Sequence, residues 1–310
     1  MRAVLIVNPN ATATTLRTRD VLSSALSSDL RVDTFQTKGR GHAIELAEQA
    51  VENGADLVVA LGGDGTVNEV VNGMLSGGVR PGLPDLAVVP GGSTNVFARA
   101  LGLPVGAVEA TGQILEALRE GRSRRIGLGL ADDRYFTFCA GLGIDAAAVE
   151  RVEAKRAKGK KSTHSLYLRS TVNRFYFATS RRRRKPPLRL SAPGLTEPRD
   201  VFLALVCNTD PWTYLGDRPV RVAPDASFEL GLDVLALTRL STPAVLRAAG
   251  SFFREDPHPR GHTPILLHDQ PELTIEAIDG ALPFQVDGDA LPHRSKVHLT
   301  SVPNALRVVV

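Results

Sequence analysis

Two cysteines in 310 residues rule out a fold held by a disulfide framework. Both, Cys139 and Cys207, sit in apolar stretches far apart in sequence and read as core thiols in a reducing compartment. No apolar run reaches the ~18 residues that a membrane-spanning helix needs. The opening run, MRAVLIVNPN, is too short for a secretory signal. The expectation is a cytoplasmic protein that could touch a membrane surface without crossing it. The chain has no GxxxxGK[ST] loop, so it is not a P-loop nucleotide binder. It also has no GxGxxG fingerprint, which disfavours a nicotinamide dehydrogenase. No internal repeat is found.

What is present is ordinary globular composition with uneven charge. Of the 37 Lys and Arg residues, 14 lie between Arg151 and Leu190, beside a single acidic residue, Glu153. The rest of the chain therefore carries more acid than base. A basic segment on an acidic protein points to a polyanionic partner, either nucleic acid or an anionic lipid surface. Within it, 165–178 has helical spacing and an apolar-aromatic face, and RRRRK follows at 181–185. Such a stretch can lie on an anionic membrane, or it can be a solvated linker between strands.

The N-terminal portion alternates strands and helices. Strands are expected at 2–7, 31–35, 56–61 and 86–90. Helices are expected over 14–26, over 41–51, from Thr66, and through Ala100. Val, Ile and Leu strands alternating with helices predict an α/β domain with a parallel sheet covered on both faces. After residue 127 the rhythm changes to strands at 126–130, 134–140, 188–192, 201–207, 232–237, 272–278, 284–286 and 297–300. Helices there are confined to about 143–154, 165–178 and 242–253. The expected division is 1–127 and a mostly-β 128–310, with the tail ALRVVV adding a strand to one or the other.

Two glycine-rich loops carry the chemistry. The first follows a buried strand in LVVALGGDGTVNEVVNG. Gly62, Gly63 and Gly65 allow a left-handed turn and a close approach by a bound group. Successive backbone N–H groups ahead of a helix make an anion site. Asp64 fits beside an anion only when a cation such as Mg²⁺ is bound too. Thr66 can reach a phosphate oxygen and, with Glu69, can form a capping box. The second loop, VVPGGSTNVFARALG, repeats the arrangement with Gly91, Gly92, Ser93, Thr94 and Asn95. Thr94 and Asn95 could fix a ribose or phosphate oxygen, and Arg99 lies one helical turn beyond Asn95. Asn8 and both loops end strands, where ligands of parallel sheets bind.

GGDGTVNEVVNG together with GGSTNVFARALG resembles the diacylglycerol kinase catalytic-domain family, which includes sphingosine kinases and bacterial lipid kinases. GGDGT alone is shared with NAD kinases and phosphofructokinases. The resemblance implies an N-terminal domain like that of NAD kinase, a β-sandwich-like second domain, and ATP with Mg²⁺ as the phosphoryl source. It places Asn8 and Thr37 near the nucleotide, although the small residue and glycine usual after Asn8-Pro9 are replaced by NATAT. His42, beside Thr37, is expected to cap a helix. FQVDGDAL matches a segment that supplies the general base; here that residue is Asp289, with Asp287 and Gly288 shaping the turn. The same Asp-Gly pair is also a strong hairpin signal. ASFELGLDVLAL matches a segment that holds a structural metal. Leu230 stands where an aspartate is usual and cannot ligate, which leaves Asp233 and Glu229 as the candidate ligands.

The reading is an ATP-dependent lipid kinase, with diacylglycerol the leading acceptor and a sphingoid base or another lipid as alternatives. Leu142, Ile144, Trp212 and Tyr214 are candidates for an apolar lipid cleft. An NAD kinase, a nucleic-acid-binding protein and a catalytically inactive relative are the competitors. Nucleic acid is disfavoured because no helix-turn-helix, zinc or RNP-like motif accompanies the basic segment. A homodimer is compatible with the sequence.

Overall fold

Five of the six residues in RAVLIV are apolar, a pattern for a strand covered on both faces. That strand is β1 (Arg2–Val7), buried from Ala3 onward. The computed structural model describes residues 1–143, 146, 147, 149–151, 185–239, 250, 252 and 264–310. The helical stretches expected at 143–154, 165–178 and 242–253, and most of the basic segment, lie largely outside these residues.

The described chain forms two units, Met1–Gly127 with Asn304–Val310, and Leu128–Pro303. In the first, β1 is followed by α1 (Leu16–Ser27), β2 (Arg31–Gln36), α2 (His42–Glu52), β3 (Leu57–Gly62), α3 (Asp64–Met74), β4 (Asp85–Pro90), α4 (Val96–Ala100) and α5 (Ala107–Glu120). Strands β2, β1, β3 and β4 lie side by side and all pair in parallel. One core draws Ala3, Leu5 and Val7 of β1 and Leu57, Val59 and Leu61 of β3 together with Leu22 and Leu26 of α1 and Ile114 of α5. Helices α2 and α3 pack against each other through Gly73. A Cβ there would stand 2.3 Å from the Ile44 carbonyl oxygen, so only glycine permits the contact. Helix α5 was not expected from sequence.

The second unit is built on strands. They are β5 (Ser123–Ala131, which enters from the first unit), β6 (Arg134–Phe136), β7 (Cys139–Gly143), β8 (Leu188–Ser191), β9 (Arg199–Val201), β10 (Leu203–Cys207), β11 (Thr213–Leu215), β12 (Arg218–Val220), β13 (Leu232–Leu237), β14 (Pro264–Gln270), β15 (Glu272–Ala277), β16 (Leu282–Val286), β17 (Asp289–Arg294) and β18 (Lys296–Val309). An antiparallel sheet runs in the order β14-β13-β10-β7-β16-β17. Strand β15 pairs antiparallel with both β8 and the start of β18. A shared core joins these strands, with Ala140, Leu142, Val206, Val234 and Phe284 meeting Leu188, Leu190, Ile275 and Val297. Leu142 is 1% exposed in that core, so it lines no lipid cleft. Cys139 and Cys207 are buried thiols outside any disulfide and lie directly opposite one another on β7 and β10.

Strand β18 changes unit along its length. Its last residues join the first unit, where Val308 pairs in parallel with Leu86. There Arg307 pairs with Asp85, and Arg122 donates to the Val310 carbonyl at 2.9 Å. The sheet to which β18 contributes is thus mixed, because its start is antiparallel and its end parallel.

Asp210 follows β10 as a buried carboxyl. Burial pushes it up to about 6, against the pull of Arg221, while Asp225 adds to the rise. Arg221 donates to one of its oxygens and the other is buried without a partner. A folded-state value above the unfolded one means that the native state binds the extra proton. Stability from this group is therefore fully present below pH ~4 and is lost as pH rises through about 6. The loss should amount to about 2–3 kcal/mol. Urea unfolding of Asp210→Asn against wild type is expected to show a flatter dependence between pH 4 and pH 7 in the variant. Parallel profiles would show that Asp210 ionises as freely in the folded chain as in the unfolded one.

Candidate active site

Parallel pairing of β3 with β4 runs to Gly62 opposite Pro90, so both strands release their loops at the same edge. The loops then touch backbone to backbone. The Gly91 amide donates to the Gly62 carbonyl at 2.8 Å. A Cβ on Gly92 would lie 2.6 Å from the Gly63 Cα, and one on Gly91 would lie 3.2 Å from the Gly62 Cα. None of Gly62, Gly63, Gly65, Gly91 and Gly92 has a left-handed φ. The expectation of a left-handed turn is therefore corrected: Gly62, Gly63, Gly91 and Gly92 serve the mutual approach of the loops.

The side chains around this contact continue the coupling. Asp64 opens α3, is half-buried, and accepts from the Phe97 amide of α4 at 3.1 Å. Asn95 is 5% exposed; its Oδ1 accepts from the Gly92 amide at 2.8 Å and its Nδ2 donates to the Gly92 carbonyl at 3.0 Å. Its amide thus shapes the loop itself. Ser93 is exposed, Thr94 half-buried, and Arg99 half-buried in α4. Asn8, at the end of β1, donates from Nδ2 to the Thr66 hydroxyl at 2.8 Å and accepts the Asn10 amide at 2.9 Å. The Ala13 amide donates to the Gly91 carbonyl at 2.8 Å, so the NATAT segment is strapped to the second loop. Thr37 is buried just past β2, its amide on the Val7 carbonyl at 2.9 Å. The structure thus brings Asn8, Thr37, 62–66 and 91–95 to the carboxyl ends of adjacent strands.

The capping box is a second correction. Helix α3 begins at Asp64, with Gly63 as its N-cap, so Thr66 already lies inside it. Glu69 instead reaches α2, where its two oxygens accept the Gly41 amide at 2.8 Å and the Ala43 amide at 3.2 Å. Gly41 provides no side-chain cap of its own, and a carboxylate suits a helix N-terminus. Sequence could not show this, because the two partners are 26 and 28 residues away. His42 accepts the Lys38 amide at 3.0 Å, a local turn contact.

In the second unit the Asp-Gly pair is a two-residue hairpin turn, with φ 49° at Asp287 and 79° at Gly288. Asp287 is also 4% exposed. It accepts from the Thr137 amide and hydroxyl at 2.7 and 2.9 Å, and from the Phe138 and Cys139 amides at 3.0 Å each. Sequence showed the turn but not this clamp on 137–139. Asp289 follows as the half-buried first residue of β17. Trp212 and Tyr214 are half-buried beside and within β11, and Ile144 lies outside the described residues.

Asp233 has partners other than those expected of a metal ligand. It is 3% exposed, His268 Nδ1 lies 2.9 and 3.0 Å from its two oxygens, and the Asp269 amide donates at 3.0 Å. Its hydrogen bond to Asp233 raises His268 above the ordinary imidazole value, with Asp225 and Asp269 adding to the effect. No group of three or more His, Cys, Asp or Glu among the described residues could hold a metal ion. A Mg²⁺ carried by nucleotide phosphates is a different case. Such an ion draws most ligands from phosphate and water and needs only one or two carboxylates, which Asp64 fits.

Residues 2–131 match the model for the diacylglycerol kinase catalytic domain. Over 137 residues the chain is 33% identical to a diacylglycerol kinase of Staphylococcus saprophyticus and 34% identical to one of Staphylococcus aureus. These alignments take in 44% of this chain but only 43% and 41% of the relatives, so it matches less than half their length. A diacylglycerol kinase structure from Bacillus anthracis aligns over 99% of this chain and 96% of its own, with TM-score 0.69 and 20% identity. Yeast NADH kinase complexed with NADH aligns over 99% of this chain and 82% of its own, with TM-score 0.54 and 11% identity. The structural likenesses speak for the fold alone. The sequence match rests on the stretch that contains both welded glycine loops, and over residues 2–131 the chain is similar to the diacylglycerol kinase catalytic domain.

Proposed function

We propose that this chain is an ATP-dependent kinase that transfers the γ-phosphate to a lipid hydroxyl, with diacylglycerol as the acceptor named for its relatives. The observation that carries this reading is the pair of glycine loops fixed against each other beyond β3 and β4. Of the backbone N–H groups of 62–66 and 91–94 that were expected to hold the phosphates, those of Gly91 and Gly92 instead donate to the Gly62 carbonyl and to Asn95 Oδ1, so the phosphates fall to the others, and the N-terminus of the eleven-residue α3 favours negative charge there. Asn8, Thr37, Thr66 and Asn95 shape the nucleotide side of the site. Mg²⁺ supplies neutralisation of phosphate charge when bound, and Asp64 is the carboxylate that would hold it.

In transfer, the lipid oxygen forms a bond to the γ-phosphorus, the bond to the β-phosphate bridging oxygen breaks, and ADP leaves. Asp289 takes the hydroxyl proton. Asp287 is the less suitable acceptor because four donors already occupy its oxygens.

The same reading includes a first domain like NAD kinase and a β-sandwich second domain, divided near residue 127. It also includes a cytoplasmic protein that meets anionic membrane through its basic segment, and a homodimer is compatible with it. Among the described residues no helix is long and apolar enough to cross a membrane. An NAD kinase remains the second reading because of the fold shared with yeast NADH kinase.

Transfer of labelled γ-phosphate from ATP-Mg²⁺ to diacylglycerol, a sphingoid base and other lipids in mixed micelles, with NAD⁺ as a control acceptor, separates these readings. Label in lipid is the expected result; label in NAD⁺ alone would move the chain to the nucleotide-kinase branch. Asp289→Asn is expected to lower kcat about 10²–10⁴-fold with ATP affinity retained. Asp64→Asn keeps an acceptor for the Phe97 amide and should therefore fold with the wild-type melting midpoint. It is expected to lose turnover and the Mg²⁺ dependence of ATP binding; normal turnover would remove Asp64 from the metal role.

The loop contact makes its own prediction. Gly92→Ala would force a Cβ to within 2.6 Å of the Gly63 Cα, whereas Gly39→Ala meets nothing within 4 Å. Gly92→Ala is expected to lose about 1–3 kcal/mol in urea unfolding and to lose ATP binding. Gly39→Ala should stay within about 0.5 kcal/mol of wild type. Equal stability and nucleotide affinity in the two variants would show that the loops tolerate separation.

A further inference from the structure

Strands β13 and β14 do not pair residue for residue. Leu232 lies opposite Gln270 and Val234 opposite Leu267, so Asp233 faces two residues, His268 and Asp269. This is a β-bulge, and Asp269 takes a left-handed φ of 54° in it. The bulge has a chemical consequence. It delivers the His268 ring and the Asp269 amide to the same buried carboxylate, at 2.9 to 3.0 Å. The Asp269 carboxylate in turn accepts the Gly231 amide at 2.6 Å, which ties the chain ahead of β13 to the bulge.

A carboxylate 3% exposed needs a counter-charge or several donors. A divalent cation would need a set of oxygen ligands. Among the described residues no group of three or more His, Cys, Asp or Glu offers one. Leu230 turns an apolar side chain outward, 39% exposed. Glu229 is engaged with the Ser227 hydroxyl. We propose that His268 takes the place of a divalent cation at Asp233, so that the second unit holds its fold without a bound metal. From one side of the bulge His268 Nδ1 occupies both Asp233 oxygens, at 2.9 and 3.0 Å. Asp225 and Asp269 are the other carboxylates that act on His268. The proposal does not rest on the kinase reading.

Thermal unfolding of the full chain, followed by near-ultraviolet circular dichroism, tests it. The wild-type midpoint is expected to be the same in excess EDTA as in millimolar MgCl₂, MnCl₂ or CaCl₂. His268→Ala is expected to lower it by about 3–6 °C in every condition. His268→Lys, which returns a cation, should recover more of the loss than His268→Gln, which returns only a donor. A cation-dependent rise in the wild-type midpoint, or a His268→Ala midpoint equal to wild type, would overturn the proposal. Should His268→Ala fail to fold, the wild-type comparison in EDTA and in the three salts decides alone.

Discussion

The contact on which the first unit depends is one between two stretches of backbone. Gly63 meets Gly92 at a distance that no Cβ on Gly92 would allow, and a Cβ on Gly91 would crowd Gly62 at 3.2 Å. The parallel register of β3 and β4 brings the strand ends together, and the glycines let the chain stay together beyond them. Everything nearby refers to this contact. Asp64 joins α3 to the Phe97 amide across it, Asn95 braces Gly92, and the Ala13 amide fastens the loop after β1 to Gly91. An anion site made of backbone N–H groups is only as well defined as the backbone that carries them. On the proposed reading the glycines would act on the ligand indirectly, by fixing the two loops against each other.

Acidic side chains recur as fasteners. Glu69 holds the start of α2, Asp287 holds 137–139, and Asp233 holds the bulge in β14. In each case a carboxylate collects backbone N–H groups that regular structure leaves over. Such bonds are stronger than neutral ones and short enough to set position. They join segments that are remote in sequence. This explains why an acidic residue in a chemical-looking motif can have a purely mechanical partner.

The strands and helices of the first unit were largely legible because they rest on local pattern. RAVLIV, LVVALG and DLAVVP are buried on both faces, and Asn8-Pro9 after the first and glycines after the other two punctuate the chain. The helix at Ala107–Glu120 was less visible. It opens without a side-chain cap, after a loop containing Pro104 and Gly106. The candidate site was legible as a set of loops but not as a set of contacts. That Thr66 receives Asn8 and that Glu69 leaves its own helix for α2 depends on strand order, which no local pattern states. The place of the tail had the same limit. ALRVVV reads as a strand, yet its place in the first unit rests on long-range contacts, the pairings of Val308 with Leu86 and of Arg307 with Asp85 among them. The bulge opposite Asp233 could not be foreseen either, since a single extra residue leaves the alternation of β14 almost intact.

The Asp-Gly-Asp turn shows how one motif can divide its work. A carboxylate has about four lone-pair positions, and Asp287 has four donors on its two oxygens. A proton arriving there would have to displace one of them and break the hold on 137–139. Asp287 is thus committed to position. Its left-handed φ, with that of Gly288, turns the chain so that Asp289 begins β17 opposite Val286. Asp289 is only half-buried. The buried acid makes the geometry, and the proposed role of proton acceptor falls to the second. An aspartate at that second position has a shorter reach than a glutamate. The rigidity of the clamp matters all the more for that reason, because a short side chain on a loose hairpin could not hold a proton acceptor in place.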